Sequence, residues 1–265
     1  DILGNDQAYY ALQELKEVVG KITPKVPDAG VHQMQVSSKT SAPAVQSHST
    51  SISFYSTREL KDSGRITSLD QLYAQASALH PILRSKVQCW ADISHGSFLA
   101  NNRNREEESD DNMFIRWHQA RGDTKLRDAI EWAQIKSPQR AIEKAFQTYC
   151  GDVSRLLDIT RQTIYFQEIE HISTCLGSIW HDEEIMVERI KNRMDPEDSV
   201  TRMYGSYRDI MLNIRIVNDK TKDLKIDKHV CEVRLVLQCF AEVFIKENTT
   251  HAHYVALRNE MGHDG

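Results

Sequence analysis

No run of apolar residues in this sequence approaches the roughly 18 that a membrane-spanning helix needs, and nothing near its start has the basic, apolar and small-residue order of a signal sequence. Because the chain opens on Asp1 rather than Met, there is room for a targeting segment ahead of it. Five cysteines, Cys89, Cys150, Cys175, Cys231 and Cys239, are odd in number, widely spaced and without a CxxC pair. That argues against a disulfide framework and a cysteine zinc site, and points to a reducing, intracellular compartment. Asn248-Thr249-Thr250 is a glycosylation sequon that matters only in a secreted protein. An excess of positive charge is missing too: 33 Lys and Arg against 38 Asp and Glu leave −5, so binding to a polyanion needs a local basic patch. There is no internal repeat.

What is present is an ordinary globular composition. With 265 residues, 40% of them hydrophobic, the chain can bury a sizeable core as one large domain or two small ones. Asp6 to Val19 places Ala8, Leu12, Leu15 and Val19 at helical spacing. Ser37 to Ser53 is rich in Ser, Thr, Ala and Gln and reads as a flexible linker. A second helix starts after Ser68 and runs through Leu79 to Pro81, with more helix through Trp90. Arg103 to Asp111 reads as a solvated, charged loop.

From Ser137 the pattern changes. Ser137-Pro138 is an N-cap followed by proline at the first helical position, and Ala141, Ile142, Ala145, Phe146 and Tyr149 form an apolar stripe ending at Gly151. Then come a strand at Arg161–Gln167, a helix at Glu168–Trp180 and a strand at Ile185–Asn192, a strand-helix-strand unit. Ile210, Leu212, Ile214 and Ile216 alternate with Asp209, Met211, Asn213 and Arg215, so one strand face is apolar and the other mostly polar. His229–Leu237 is a further strand, and Gln238–Glu247 and His251–Met261 are helical. The expected fold is α+β, a mixed sheet flanked by helices. The expected division is a mainly helical region over residues 1–135 and a second domain over 136–265.

Two carboxylates stand where a structural strand has little use for them. Asp158 precedes a strand among apolar neighbours, and an ion pair with Arg155 or Arg161 is the plain explanation. Glu232 lies inside an apolar strand, on the same face as Arg234 and Gln238, and a salt bridge to Arg234 would account for it. The functional alternative is that the two acids share a magnesium ion whose shell is completed by substrate phosphates. Basic residues gather in the same stretch: Lys136, Arg140, Lys144, Lys191, Arg193, Arg208 and Arg215. Phosphoryl transfer depends mostly on positioning and on charge neutralisation, which such residues supply. Tyr207, at a strand start, offers a ring for stacking on a nucleobase.

The order of these pieces resembles the synthetase domain of the RelA/SpoT family, within the nucleotidyltransferase superfamily, over roughly Lys136 to Met261. Lys136 and Lys144 have the spacing of two family lysines that contact the ATP phosphates. Asp158-Ile159-Thr160-Arg161 is similar to the motif whose aspartate binds magnesium, and Gly205-Ser206-Tyr207-Arg208 to the motif whose tyrosine stacks on the acceptor base. Val230-Cys231-Glu232-Val233-Arg234-Leu235 is similar to the strand whose glutamate completes the metal site or activates the hydroxyl. The resemblance implies Mg2+, ATP as donor, and transfer of a pyrophosphate or nucleotidyl group to a nucleotide hydroxyl. Asp158 and Glu232 become the metal ligands, Tyr207 the acceptor-positioning residue, and Lys136, Lys144, Arg161, Lys191, Arg208 and Arg234 the phosphate-binding groups. Gln134, Arg140, Ser206, Met211 and Arg234 depart from the family pattern, mainly on the acceptor side. These departures motivate the alternative function, an inactive nucleotide-binding or protein-interaction module; RNA, contacted through Arg208, Arg215 and nearby lysines, is a further candidate acceptor. The family's His-Asp hydrolase motif is absent from the first half.

Overall fold

In a computed structural model the placement of residues 6–22, 31–34, 65–101, 113–194 and 208–246 is described. The Ser37–Ser53 linker, the Arg103–Asp111 loop, Gly205 to Tyr207, the Asn248 sequon and the His251–Met261 helix lie outside the described residues.

Strands β1 (Ser97–Leu99), β2 (Phe114–Arg116), β3 (Arg161–Phe166), β4 (Ile185–Asn192), β5 (Ile210–Ile216) and β6 (Cys231–Leu237) form one six-stranded sheet in the order β2-β1-β3-β6-β5-β4. Only β3 and β6 run parallel; the other pairs are antiparallel. The mixed α+β sheet is as the alternation implies. Its topology is not: β3 and β4 follow each other across one helix in sequence, yet β6 and β5 lie between them. That insertion brings Glu232 into register with Arg161. β1 and β2, at three residues each, are too short for alternation to reveal. They carry the first half of the chain into the sheet. At Gly96 a Cβ would lie 2.5 Å from Ile164 Cγ2 and 2.9 Å from Ala91 Cβ, so only glycine lets the chain enter β1 this close to β3.

Alternation gives the sheet two unlike faces. Ile164 and Phe166 of β3, Leu212 and Ile214 of β5, and Val233 and Leu235 of β6 point into one hydrophobic core. That core also takes Leu15 and Val19 of α1 (Asp6–Ile22), Leu79, Leu83 and Trp90 of α2 (Leu69–Ile93), and Ile172 and Leu176 of α4 (Ile169–Trp180). Between α2 and α3 (Pro138–Tyr149) a smaller cluster joins Leu72, Ala76, Ala141, Ala145, Leu156 and Ile159. α5 (Gln238–Lys246) follows β6 directly.

α2 does not stop before Pro81 but passes through it for 25 residues. A helix-interior proline costs about 3 kcal/mol. Here Leu72, Ala76 and Leu79 on one side of it and Ile82, Leu83, Val87 and Trp90 on the other are all buried, and that packing outweighs the lost bond. α3 begins as its sequence implies, Ser137 Oγ accepting from Arg140 N, and ends with Cys150 and then Gly151 at positive φ, 52° and 87°.

Candidate active site

Asp158 sits in the turn before β3 and is 6% exposed. Its Oδ2 receives Lys136 Nζ at 2.7 Å and Lys144 Nζ at 2.9 Å. The pairings with Arg155 and Arg161 that sequence proximity suggests are not formed. Lys136 comes instead from the segment before α3, and Lys144 from the second turn of that helix. Lys136 is held there by its own backbone: its N–H donates to Ile159 O at 2.9 Å, and its carbonyl accepts from Tyr73 Oη of α2 at 2.6 Å. His80, also on α2, shares a 2.8 Å hydrogen bond with Thr160 Oγ1, and Arg84, one turn further on, lies 4.1 Å over the Trp132 ring. One helix face from the first half of the chain thus braces both segments that carry the cluster.

Asp158 Oδ1 is buried and accepts no hydrogen bond. Burial alone would push the carboxyl up, but Lys144 and Lys136 hold it well below the usual carboxylate range. Burial acts on both lysines as well. It takes Lys136 below an ordinary lysine, with Lys144 and Arg161 adding to the fall, whereas Asp158 keeps Lys144 above it.

Glu232 emerges on the face opposite the core, in register with Arg161 of β3 and Asn213 of β5. Burial, then the charge of Asp158, pushes its carboxyl up to about 7, against Lys144 and Arg161. Arg234 is not its partner: Arg234 Nε donates to Asp209 Oδ2 at 2.9 Å, and Arg193 grips the same carboxylate at 2.6 and 2.8 Å. Arg215 pairs with Glu188 at 2.6 Å. Lys191 lies on β4 opposite Met211. Arg208, just before β5, has a buried Nη1 with no hydrogen-bond partner.

The fold therefore brings Asp158, Glu232, Lys136, Lys144 and Arg161 together, sets Arg234 aside in a second cluster, and leaves Tyr207 outside the described residues. Sequence reasoning missed Tyr73, His80, Asn213 and Asp209. Only Asp209 carried a visible signal, a carboxylate at the mouth of an apolar strand.

An acid with one bare buried oxygen and a second acid raised by desolvation and then by the first's charge would both be stabilised by a cation between them. Among the described residues no group of three or more His, Cys, Asp or Glu converges. Asp158 and Glu232 could therefore supply at most two carboxylate ligands, a set compatible with Mg2+, an ion that keeps waters and takes substrate phosphates as its remaining ligands.

No protein-family model matches the chain, and a search of curated proteins finds no match. Among solved structures the fold is similar to small alarmone synthetase 1 from Bacillus subtilis bound to its product pppGpp, at 14% identity and a TM-score of 0.36 over 49% of this chain and 70% of that one. It is also similar to a GTP pyrophosphokinase family protein from Streptococcus pneumoniae, at 12% identity and a TM-score of 0.38 over 55% and 75% of the two chains. At these scores the overlap is partial.

Proposed function

We propose that this chain transfers a pyrophosphate or nucleotidyl group from ATP to the hydroxyl of a nucleotide acceptor, in a magnesium-dependent reaction. One observation carries the reading: two carboxylates near each other, the buried Asp158 with a bare oxygen and the partly exposed Glu232 raised to about 7 by desolvation and by the charge of Asp158, beside Lys136, Lys144 and Arg161. A metal ion held by Asp158 and Glu232 would neutralise charge on the donor phosphates. Lys136 and Lys144 can swing on four-carbon stems from Asp158 to phosphate oxygens without backbone movement. In this reading Arg161, Lys191 and Arg208 bind further phosphate oxygens. Arg234, committed to Asp209, serves by holding its strand in place, and Tyr207 stacks on the acceptor base. Residues 136–265 form the transferase domain, with α2 of the first half as its brace.

The test is incubation of the chain with radiolabelled ATP, Mg2+ and a panel of nucleotides and RNA, followed by separation of products. Glu232→Gln is expected to abolish transfer with the melting temperature retained, and unchanged turnover would reject the assignment. Thermal stabilisation by ATP without ATP consumption, whatever the acceptor, would favour the inactive nucleotide-binding module. Transfer to RNA with a steep salt dependence of binding would make RNA the acceptor.

A further inference from the structure

Across the polar face of the sheet, four strands each place one side chain on a single line: Arg161 on β3, Glu232 on β6, Asn213 on β5 and Arg189 on β4, each in register with the next. Asn213 is wholly buried. Arg189 Nε donates to its Oδ1 at 2.8 Å. A guanidinium can only donate, so the carbonyl end of the amide must face β4. The planar amide then turns Nδ2 to the other side, where β6 presents Glu232. Nδ2 is buried without a hydrogen-bond partner, and no hydrogen bond or ion pair joins Glu232's carboxylate to another described residue. A buried, unsatisfied donor thus stands in register with a partly exposed carboxylate, and native structures avoid such a donor unless a further group serves it. A hydroxyl can serve both at once. Its oxygen accepts from Nδ2, and its O–H donates to the carboxylate.

We infer that Asn213 is a substrate-contacting residue, its amide N–H holding the oxygen of the acceptor's reactive hydroxyl beside Glu232, with Arg189 fixing the amide's orientation. This rests on the proposed transferase function and adds to it a residue that confers the requirement for a hydroxylated sugar.

The test compares calorimetric binding of guanosine diphosphate and its 3′-deoxy counterpart to the full chain. The wild-type chain is expected to favour the hydroxylated compound by roughly three- to tenfold, the range of one neutral hydrogen bond. Asn213→Asp keeps an acceptor for Arg189 but has no N–H. It is expected to narrow the preference for the hydroxylated compound, since only the hydroxyl's bond to Glu232 remains, and to raise the acceptor KM, with the ATP KM unchanged. Asn213→Ala, checked for folding by its thermal midpoint, removes the donor without adding charge and should agree. Wild-type discrimination retained in the folded variants would overturn the role of Asn213 and leave the transferase reading standing. Equal binding of both compounds by the wild-type chain would also overturn it, since the amide then serves only a buried water. A wild-type chain that binds no nucleotide and transfers nothing would remove both.

Discussion

Asp158 and Asp209 are both buried carboxylates held by two cations, and they are satisfied in opposite ways. Asp209, 0% exposed, uses both oxygens: Oδ1 accepts from Arg193 Nε, and Oδ2 from Arg193 Nη2 and Arg234 Nε. Asp158 crowds two ammoniums onto Oδ2 and leaves Oδ1 bare. The difference follows from the cations. A planar guanidinium matches the spacing of two carboxylate oxygens and saturates the group, whereas an ammonium is a point charge that satisfies one oxygen and can move away. The arginine cluster ties β5 and β6 to the end of β4; the lysine cluster keeps a carboxylate ionised with one oxygen unsatisfied.

The widest gap is expected between the two acids themselves. Asp158→Asn should cut transfer on the order of 10²–10³-fold or more, measured on product formed from labelled ATP. Asp209→Ala should instead lower stability by ~3–5 kcal/mol in urea unfolding, because it removes the buried carboxylate that two partly exposed guanidiniums grip. Similar activity losses in the two variants at matched stability would erase the distinction.

A finer separation comes from Lys144→Met. If Lys144 neutralises Asp158 until a divalent ion replaces it, the variant should bind Mn2+ alone roughly tenfold tighter and ATP roughly tenfold weaker. Weaker binding of both would make Lys144 a fixed structural partner, like the arginines on Asp209.

Acid should act on the fold through two groups of opposite sign, Glu232 and His229. Glu232, raised from 4.5 to about 7, takes its proton in the folded chain first, so its share of stability grows as pH falls from 7 towards 4.5. Burial lowers His229 from 6.5 to about 3. Its ring shares a 3.2 Å hydrogen bond with Gln75 Oε1, and Nε2 is unpartnered. Above pH 6.5 the ring is neutral whether folded or unfolded. As pH falls from 6.5 towards 3 the unfolded chain takes up a proton that the folded one refuses, so stability drops. Asp158, held below its ordinary 3.8, adds to the loss only below that pH, when its ion pairs begin to protonate. In the wild-type chain the two shares oppose each other, so between pH 7 and pH 4 the urea midpoint of His229→Asn should rise relative to that of the wild-type chain. The smallest effect is expected from Ser137→Ala, which removes the cap of the helix bearing Lys144 and should cost about 1 kcal/mol or less of stability, with the metal affinity unmoved.

Much of the sheet was legible because strand alternation is a local property. β3, β4, β5 and β6 fall within a residue or two of where the apolar pattern puts them. β1 and β2 were hidden because three residues cannot show a period, and the passage of α2 through Pro81 because burial on both sides decided it. At the site, the charge types were readable and the pairings were not. Arg155 and Arg161 are the sequence neighbours of Asp158, yet its cations come from 22 and 14 residues upstream, Lys136 and Lys144. Arg234 shares a strand face with Glu232 and binds Asp209 instead.

The sequence by itself determined which segments alternate, which helix is capped at Ser137, and that carboxylates and cations gather in the second half, since these are properties of residues near one another along the chain. Only tertiary structure decided that β6 inserts beside β3, aligning Arg161, Glu232, Asn213 and Arg189 in one row, and that α2 braces Lys136. Strand order and ion-pair choice are settled by burial and Coulomb energy between residues far apart in sequence, which no local pattern encodes.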